Sequence, residues 1–232
     1  MTSSTNNEIL PSVSLASNKT AVSENKIARR SDQDLQLARR IDWRFLLPEP
    51  YLRRVAYWGP AKGALPAALE HFSESFQVVS ANDAGAFDLV VLRLREVADL
   101  GKANELLARG GFLYWEMKPV NWTAALHYRA NGKSDSMPKR WRRVPNFFHE
   151  QVEALQRLGF QDIQIHWQRP NFEGCLEIIP MQEATALDYA FGRPRSDLAS
   201  RVKFAAGKVM MQTGLLAHLT PCFSLIAQKV DK

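Results

Sequence analysis

The chain has 232 residues, 46% of them hydrophobic, and a formal net charge of +6. That is enough for one substantial core but cramped for two full domains, and no apolar run approaches the roughly 18–20 residues of a membrane span. The opening stretch MTSSTNNEILPSVSLASNKTAVSENK lacks a basic start followed by a long apolar segment, so it is not expected to be a secretory signal.

In chain order, residues 1–30 are rich in Ser, Thr and Asn and predict a solvated, unpacked tail. Residues 31–232 predict a single domain. SDQDLQLARRIDWRFLLPEP opens with an N-cap at Ser31, carries apolar residues at Leu35, Leu37, Ile41 and Phe45, and is stopped by Pro48 and Pro50. RRVAYWG predicts a first strand, ALPAALEHF a helix and FQVVSA a second strand closed by Asn82, Asp83 and Gly85. FDLVVLRL is nearly continuously apolar, as a strand covered on both faces must be. VADLGKANELLARGG predicts an amphipathic helix stopped by glycine, and FLYWEMKP the next strand. Strands alternating with helices over short connections predict βαβ units and an α/β, doubly wound, mostly parallel sheet.

Beyond residue 118 the pattern loosens. NWTAALHYRANGKSDSMPKRWRRVPNFF reads as loop or broken helix, HEQVEALQRLGF as a helix ending at Gly159, QDIQIHWQ as a strand and CFSLIAQKV as the last strand. Between these two strands, about 170–219, the sequence predicts a basic helical insert, mainly helical over 184–219, with Leu198, Val202, Ala205, Val209, Leu215 and Leu216 toward the body. The late strands at 161–167 and 222–229 predict a hairpin-like pair at the sheet edge. Cys175 and Cys222 lack metal or redox spacing and read as buried thiols of a reducing cytoplasm.

Cations crowd IARRSDQDLQLARR, YLRR, KRWRR and the segment from Arg193 to Lys208. Such clusters suit a phosphorylated substrate, an anionic membrane surface touched peripherally, or simply the solvated faces of helices. No nucleic-acid module accompanies them, so DNA and RNA are not expected as partners.

The order of these elements resembles class I S-adenosylmethionine-dependent methyltransferases. FDLVVLRL is similar to that family's fourth strand, ELLARGGFLYWEMKP to its helix, Gly-Gly and fifth strand, and LQRLGFQDIQIHW to its late helix and sixth strand. PCFSLIAQK is similar to its seventh strand, which inserts antiparallel to the rest. DWRFLLPEP and the basic insert also resemble methyltransferase-like proteins of bacterial surface-polysaccharide and glycoconjugate pathways. The resemblance implies a Rossmann-like fold, S-adenosylmethionine as cofactor, and a cofactor loop at GPAKG.

Laid on the family's acid-x-Gly-x-Gly-x-Gly pattern, Gly59 and Gly63 keep the outer glycines, while Ala61 takes the middle one and Tyr57 the acid. The same two glycines would serve an ordinary tight βα turn equally well. For the acid that grips the ribose, VVSAND offers Ser80, Asn82 and Asp83, and Asp in NDAG is also a routine turn former. Only ANDAGA separates the second strand from FDLVVLRL, too short for a crossover helix, so the sheet is expected to lack the family's third strand and with it one wall of the adenine pocket.

Gly59, Ala61, Gly63, Ser80, Asn82, Asp83 and Arg93 are therefore the expected cofactor-side residues. Arg93, Arg95, Glu96, Glu116 and Lys118 follow strand ends on the carboxyl edge. His127 is the candidate base, or a surface residue. Lys118, Tyr128, Arg140 and Trp141 are candidates to hold an anionic or sugar-bearing substrate. Two functions follow: methyl transfer to a small molecule or glycoconjugate, or a methyltransferase-fold protein that has lost catalysis and serves as a binding partner of another enzyme in its pathway. In either case the composition suits a cytoplasmic protein.

Overall fold

The computed structural model describes residues 32–93, 99–117, 148–190 and 222–230, together with Val202, Ala205, Ala206 and Val209. A helix over 32–40, α1, leads into a 3-10 turn at Asp42–Leu46. Then come β1 (Leu52–Trp58), α2 (Ala64–Phe72), β2 (Ser73–Val78), β3 (Phe87–Arg93), α3 (Leu100–Leu106), β4 (Leu107–Met117), α4 (His149–Arg157), β5 (Phe160–Arg169), β6 (Glu177–Pro180), α5 (Ala184–Ala190) and β7 (Phe223–Lys229).

The seven strands form one sheet in the order β2-β1-β3-β4-β7-β5-β6. β1 through β4 are mutually parallel. β7 runs antiparallel to both β4 and β5, and β6 antiparallel to β5. This is the doubly wound, Rossmann-like α/β sheet with an inverted seventh strand that the sequence predicts. Among the described residues β2 is an edge strand: the connection over 79–86 contains neither helix nor strand, so no further strand lies between β2 and β3 in the chain, as the short interval predicts.

Each face of the sheet carries its own core. One packs Ala56, Val90, Leu92, Leu113, Trp115 and Leu225 beneath α3 and α4. The other packs Val55, Tyr57, Leu89, Val91 and Tyr114 beneath α2 and the turn bearing Trp43. Strands buried on both faces must be apolar at successive positions, and β1 and β3 are. α2 starts at Gly63, whose φ of +134° suits only glycine, and tolerates Pro66 because that residue falls in the first turn, where no intrahelical acceptor awaits its N–H.

Three details depart from the sequence reading. The helix before β4 ends at Leu106, not at the glycines. Leu107 already pairs with Phe87, and Gly110, at φ +71°, lies within the strand beside a register shift. β7 lies inside the sheet between β4 and β5, so the outer edge belongs to β6, a strand not expected from the sequence. The first residues of the 170–219 segment are a loop and β6, with helix α5 after them. Val202, Ala205 and Val209 are exposed instead of facing the body. Elsewhere, Phe160 and Ile163 share one core despite their odd spacing, because Asp162 (φ +47°) sits within a register shift that turns the strand over.

His166 is buried on β5 opposite Ser224, and its Nδ1 has no hydrogen-bond partner. Burial lowers its pKa to about 4. The native protein therefore keeps His166 neutral while the unfolded chain takes up a proton below about pH 6.5, so stability is lost as pH falls from 6.5 toward 4. Urea unfolding should show His166 costing the wild type about 2 kcal/mol between pH 7.5 and pH 5. His166→Asn should be less pH-dependent by that amount; equal pH dependence in the two proteins would show that the imidazole is not held neutral.

Candidate functional site

The chain leaves β1 for β2 on one side and returns to β3 on the other, so the strand order reverses between β1 and β3. In open α/β sheets ligands bind outside the carboxyl ends of the strands at such a reversal. Here that edge is formed by the loop Gly59–Gly63 after β1, by Arg93 ending β3 and by Glu116 near the end of β4.

Gly59 and Gly63 both abut Arg93. A Cβ on Gly59 would stand 2.6 Å from the Tyr57 hydroxyl and 2.9 Å from Arg93 Cβ. A Cβ on Gly63 would stand 3.4 Å from Arg93 Nη1. Gly59 thus makes room for the protein's own side chains, while Gly63 is required by its backbone conformation. The Tyr57 hydroxyl is buried without a hydrogen bond of good geometry, and burial raises its pKa against the pull of the nearby Arg93 guanidinium. In the place of the family's acid there is a neutral phenol.

Arg93 belongs to a cluster of four charged groups. Arg40, at the end of α1, is buried and its Nη2 lies 2.5 Å from Glu116 Oε1. Arg93 Nε lies 3.3 Å from Glu116 Oε2. Glu173, in the loop over 170–176, meets both arginines: Oε2 is 3.3 Å from Arg40 Nε, and Oε1 is 2.6 Å from Arg93 Nη2. Tyr114 donates to Glu116 at 3.4 Å, and Gln168 Nε2 donates to the Tyr114 hydroxyl at 2.7 Å and to Ser224 Oγ at 2.8 Å. Trp43 stacks on Tyr114 with ring centroids 3.7 Å apart. Desolvation raises the Glu116 pKa, opposed chiefly by the charge and hydrogen bond of Arg40.

Ser80 and Asp83 satisfy one another. Asp83 Oδ2 accepts from the Ser80 N–H at 2.6 Å and from its hydroxyl at 2.9 Å, which lowers the Asp83 pKa. This is a side-chain-closed turn in which one carboxylate oxygen is already engaged. Asn82 and Ala61 are exposed. Gly59, Gly63 and Arg93 are thus brought together, whereas Ser80, Asn82 and Asp83 form a turn of their own. His127, Lys118, Tyr128, Arg140 and Trp141 lie outside the described residues, as do Arg95 and Glu96. Among the described residues no group of three or more His, Cys, Asp or Glu could hold a metal. Sequence reading missed Arg40, Glu173, Gln168 and Ser224. The available signal was Glu116 itself, because a carboxylate in a strand covered on both faces requires a cation.

No protein-family model matches the sequence, and no curated protein matches it. Solved structures similar to the chain include an S-adenosylmethionine-dependent methyltransferase from Archaeoglobus fulgidus, 14% identical over 85% of this chain and 94% of that one, with a TM-score of 0.44. Another is phosphoethanolamine N-methyltransferase 2 of Haemonchus contortus in complex with phosphomonomethylethanolamine and S-adenosylhomocysteine, 14% identical over 87% of this chain, with a TM-score of 0.40; the match spans about half (53%) of that protein's chain. A third is an S-adenosylmethionine-dependent O-methyltransferase from Thermotoga maritima, 13% identical over 82% of this chain and 63% of that one, with a TM-score of 0.39.

Two measurements test this geometry. Arg40→Met should destabilise the protein by about 3–5 kcal/mol in urea, because it strands a buried carboxylate. The double variant Arg40→Met/Glu116→Gln should be less destabilised than Arg40→Met alone; additive losses would mean the two groups are not coupled. Gly59→Ala should cost about 1–3 kcal/mol through the clash with Tyr57 and Arg93. A neutral Gly59→Ala would show that the two side chains do not fill the space beside the loop.

Proposed function

We propose that this chain is a methyltransferase-fold protein that binds S-adenosylmethionine weakly and acts as a binding partner of another enzyme. We extend this, from the resemblance of DWRFLLPEP and the basic insert, to a pathway of polysaccharide or glycoconjugate synthesis. The observation that carries the first part is the position of Arg93, against both loop glycines and tied to Glu116 and Glu173.

S-adenosylmethionine carries a sulfonium and an ammonium group beside its one carboxylate. A guanidinium at the site disfavours the two cations and favours only the carboxylate, whose place at Arg93 is taken by Glu173, and the acid that would attract the cations in the family pattern is replaced by Tyr57. Glu116 is engaged by Arg40 and Arg93, and the single charge near the end of β2, Asp83, is turned onto Ser80. The residues present therefore do not fit the cofactor as the family holds it. Each hydrogen bond lost to the ligand costs on the order of 1 kcal/mol, so two or three losses weaken binding by roughly tens to hundreds-fold.

A second reading, methyl transfer to a small molecule or glycoconjugate, is favoured by one fact of chain connection. The segment that carries His127, Lys118, Tyr128, Arg140 and Trp141 leaves β4 at Met117, on the edge where Glu116 and Arg93 stand. In that reading His127 is the base and the other four hold the substrate.

Calorimetric titration separates the two. The proposal expects no saturation by S-adenosylmethionine below millimolar concentrations and no change on Gly63→Val. Micromolar binding abolished by Gly63→Val would overturn it in favour of the catalytic reading.

A further inference from the structure

Glu173 differs from the other three members of the charged cluster. The Arg40 and Glu116 side chains are fully buried and Arg93 is 18% exposed, whereas Glu173 is 50% exposed. It enters from the loop over 170–176, which joins β5 to β6. Arg40 Nε meets one carboxylate oxygen and Arg93 Nη2 the other, at 3.3 Å and 2.6 Å. Two guanidinium groups on separate elements thus converge on a single carboxylate, one donor to each oxygen.

Both arginines also meet Glu116, Arg40 through a hydrogen bond and Arg93 through an ion pair. Arg40 Nη2 is fixed by Glu116 Oε1 at 2.5 Å, and Arg93 Nε lies 3.3 Å from Oε2 of the same side chain. Arg40 also faces the Phe172 ring, 5.9 Å from its centroid. Glu116 neutralises one of the two positive charges, so the fork keeps one positive charge for whatever occupies it. Arg40 Nη1 is buried with no acceptor. Preorganised guanidinium pairs of this kind match the planar carboxylate and the phosphate oxyanion better than any other common ligand group.

We propose that Arg40 and Arg93 form a binding site for a small oxyanion, a carboxylate or a phosphate, and that Glu173 is its internal occupant. A ligand carrying such a group enters from the exposed side, displaces the Glu173 carboxylate into solvent and takes its two contacts. The site lies at the same sheet edge as the proposed function but does not rest on methyl chemistry, because anions without a methyl donor suffice to fill it. Tethering sets the competition: a carboxylate held on a short loop acts at an effective concentration of millimolar or more, which masks the fork from dilute anions.

The test is calorimetric titration of the full chain with inorganic phosphate and, separately, with acetate, in a buffer free of other oxyanions. Glu173→Gln, which keeps the shape of the side chain, and Glu173→Ala should bind at least one of the two anions about tenfold more tightly than the wild type. Adding Arg93→Gln to either variant should abolish the gain. Preference for phosphate assigns the ligand to the phosphate esters, and preference for acetate to the carboxylates. Equal binding by variant and wild type would overturn the proposal, as would a gain that survives Arg93→Gln. So would failure of both Glu173 variants to fold, since Glu173 would then be a structural partner and not a displaceable one.

Discussion

The Glu116 carboxylate lies inside the protein, and much of the structure follows from the need to compensate it. A carboxylate taken out of water costs several kcal/mol even after relaxation, and the desolvation is recovered only by a cation in good geometry with further hydrogen bonds. Arg40 supplies the cation, Tyr114 a hydroxyl, and Arg93 a second positive charge. Because Arg40 ends α1 and Trp43 stacks on Tyr114, this compensation fastens the segment before β1 to the centre of the sheet. Buried pairs of this sort contribute little net stability beside an apolar replacement. Their effect is on specificity, since any arrangement that separates Arg40 from Glu116 leaves a charge buried alone.

The same constraint decides what the sheet edge can do. A parallel sheet with a strand-order reversal offers a crevice, and a glycine turn at its lip ordinarily lets a ligand approach the backbone. In this chain the room created by Gly59 is taken up from within. Tyr57 and Arg93 crowd Gly59, Arg93 approaches Gly63, and Arg93 is held by Glu116 and Glu173. The connection over 79–86 holds no strand, so among the described residues β2 is the outer strand beside β1.

How much of this was legible in the sequence depends on the range of the forces involved. The central strands could be read because burial on both faces leaves an apolar run, as in LVVL of β3 and VAYW of β1. The missing third strand could be read from the count of residues between β2 and β3, since chain length alone limits what fits there. β6 could not: EIIP is short and follows a loop, and it becomes a strand by pairing with β5. The start of β4 at Leu107 was hidden because LARGG continues a helical pattern, while pairing with Phe87 decides the matter. Gly59, Gly63, Arg93 and Glu116 were visible as candidates from their places at strand ends. Arg40 and Glu173 were not, because nothing local marks a partner 76 or 133 residues away.

The most direct test of the central claim, that Arg93 and Arg40 are pinned by internal carboxylates at the sheet edge, is nitrogen-15 NMR of the arginine side chains in the full protein. Arg40→Lys and Arg93→Lys assign the two signals. Pinned guanidinium groups should show slow rotation about their Cζ–Nε bonds, with resolved Nη resonances that do not move when millimolar S-adenosylmethionine is added. Averaged Nη resonances for Arg93, or a large shift of that signal on addition of the cofactor, would contradict the claim and show the crevice open.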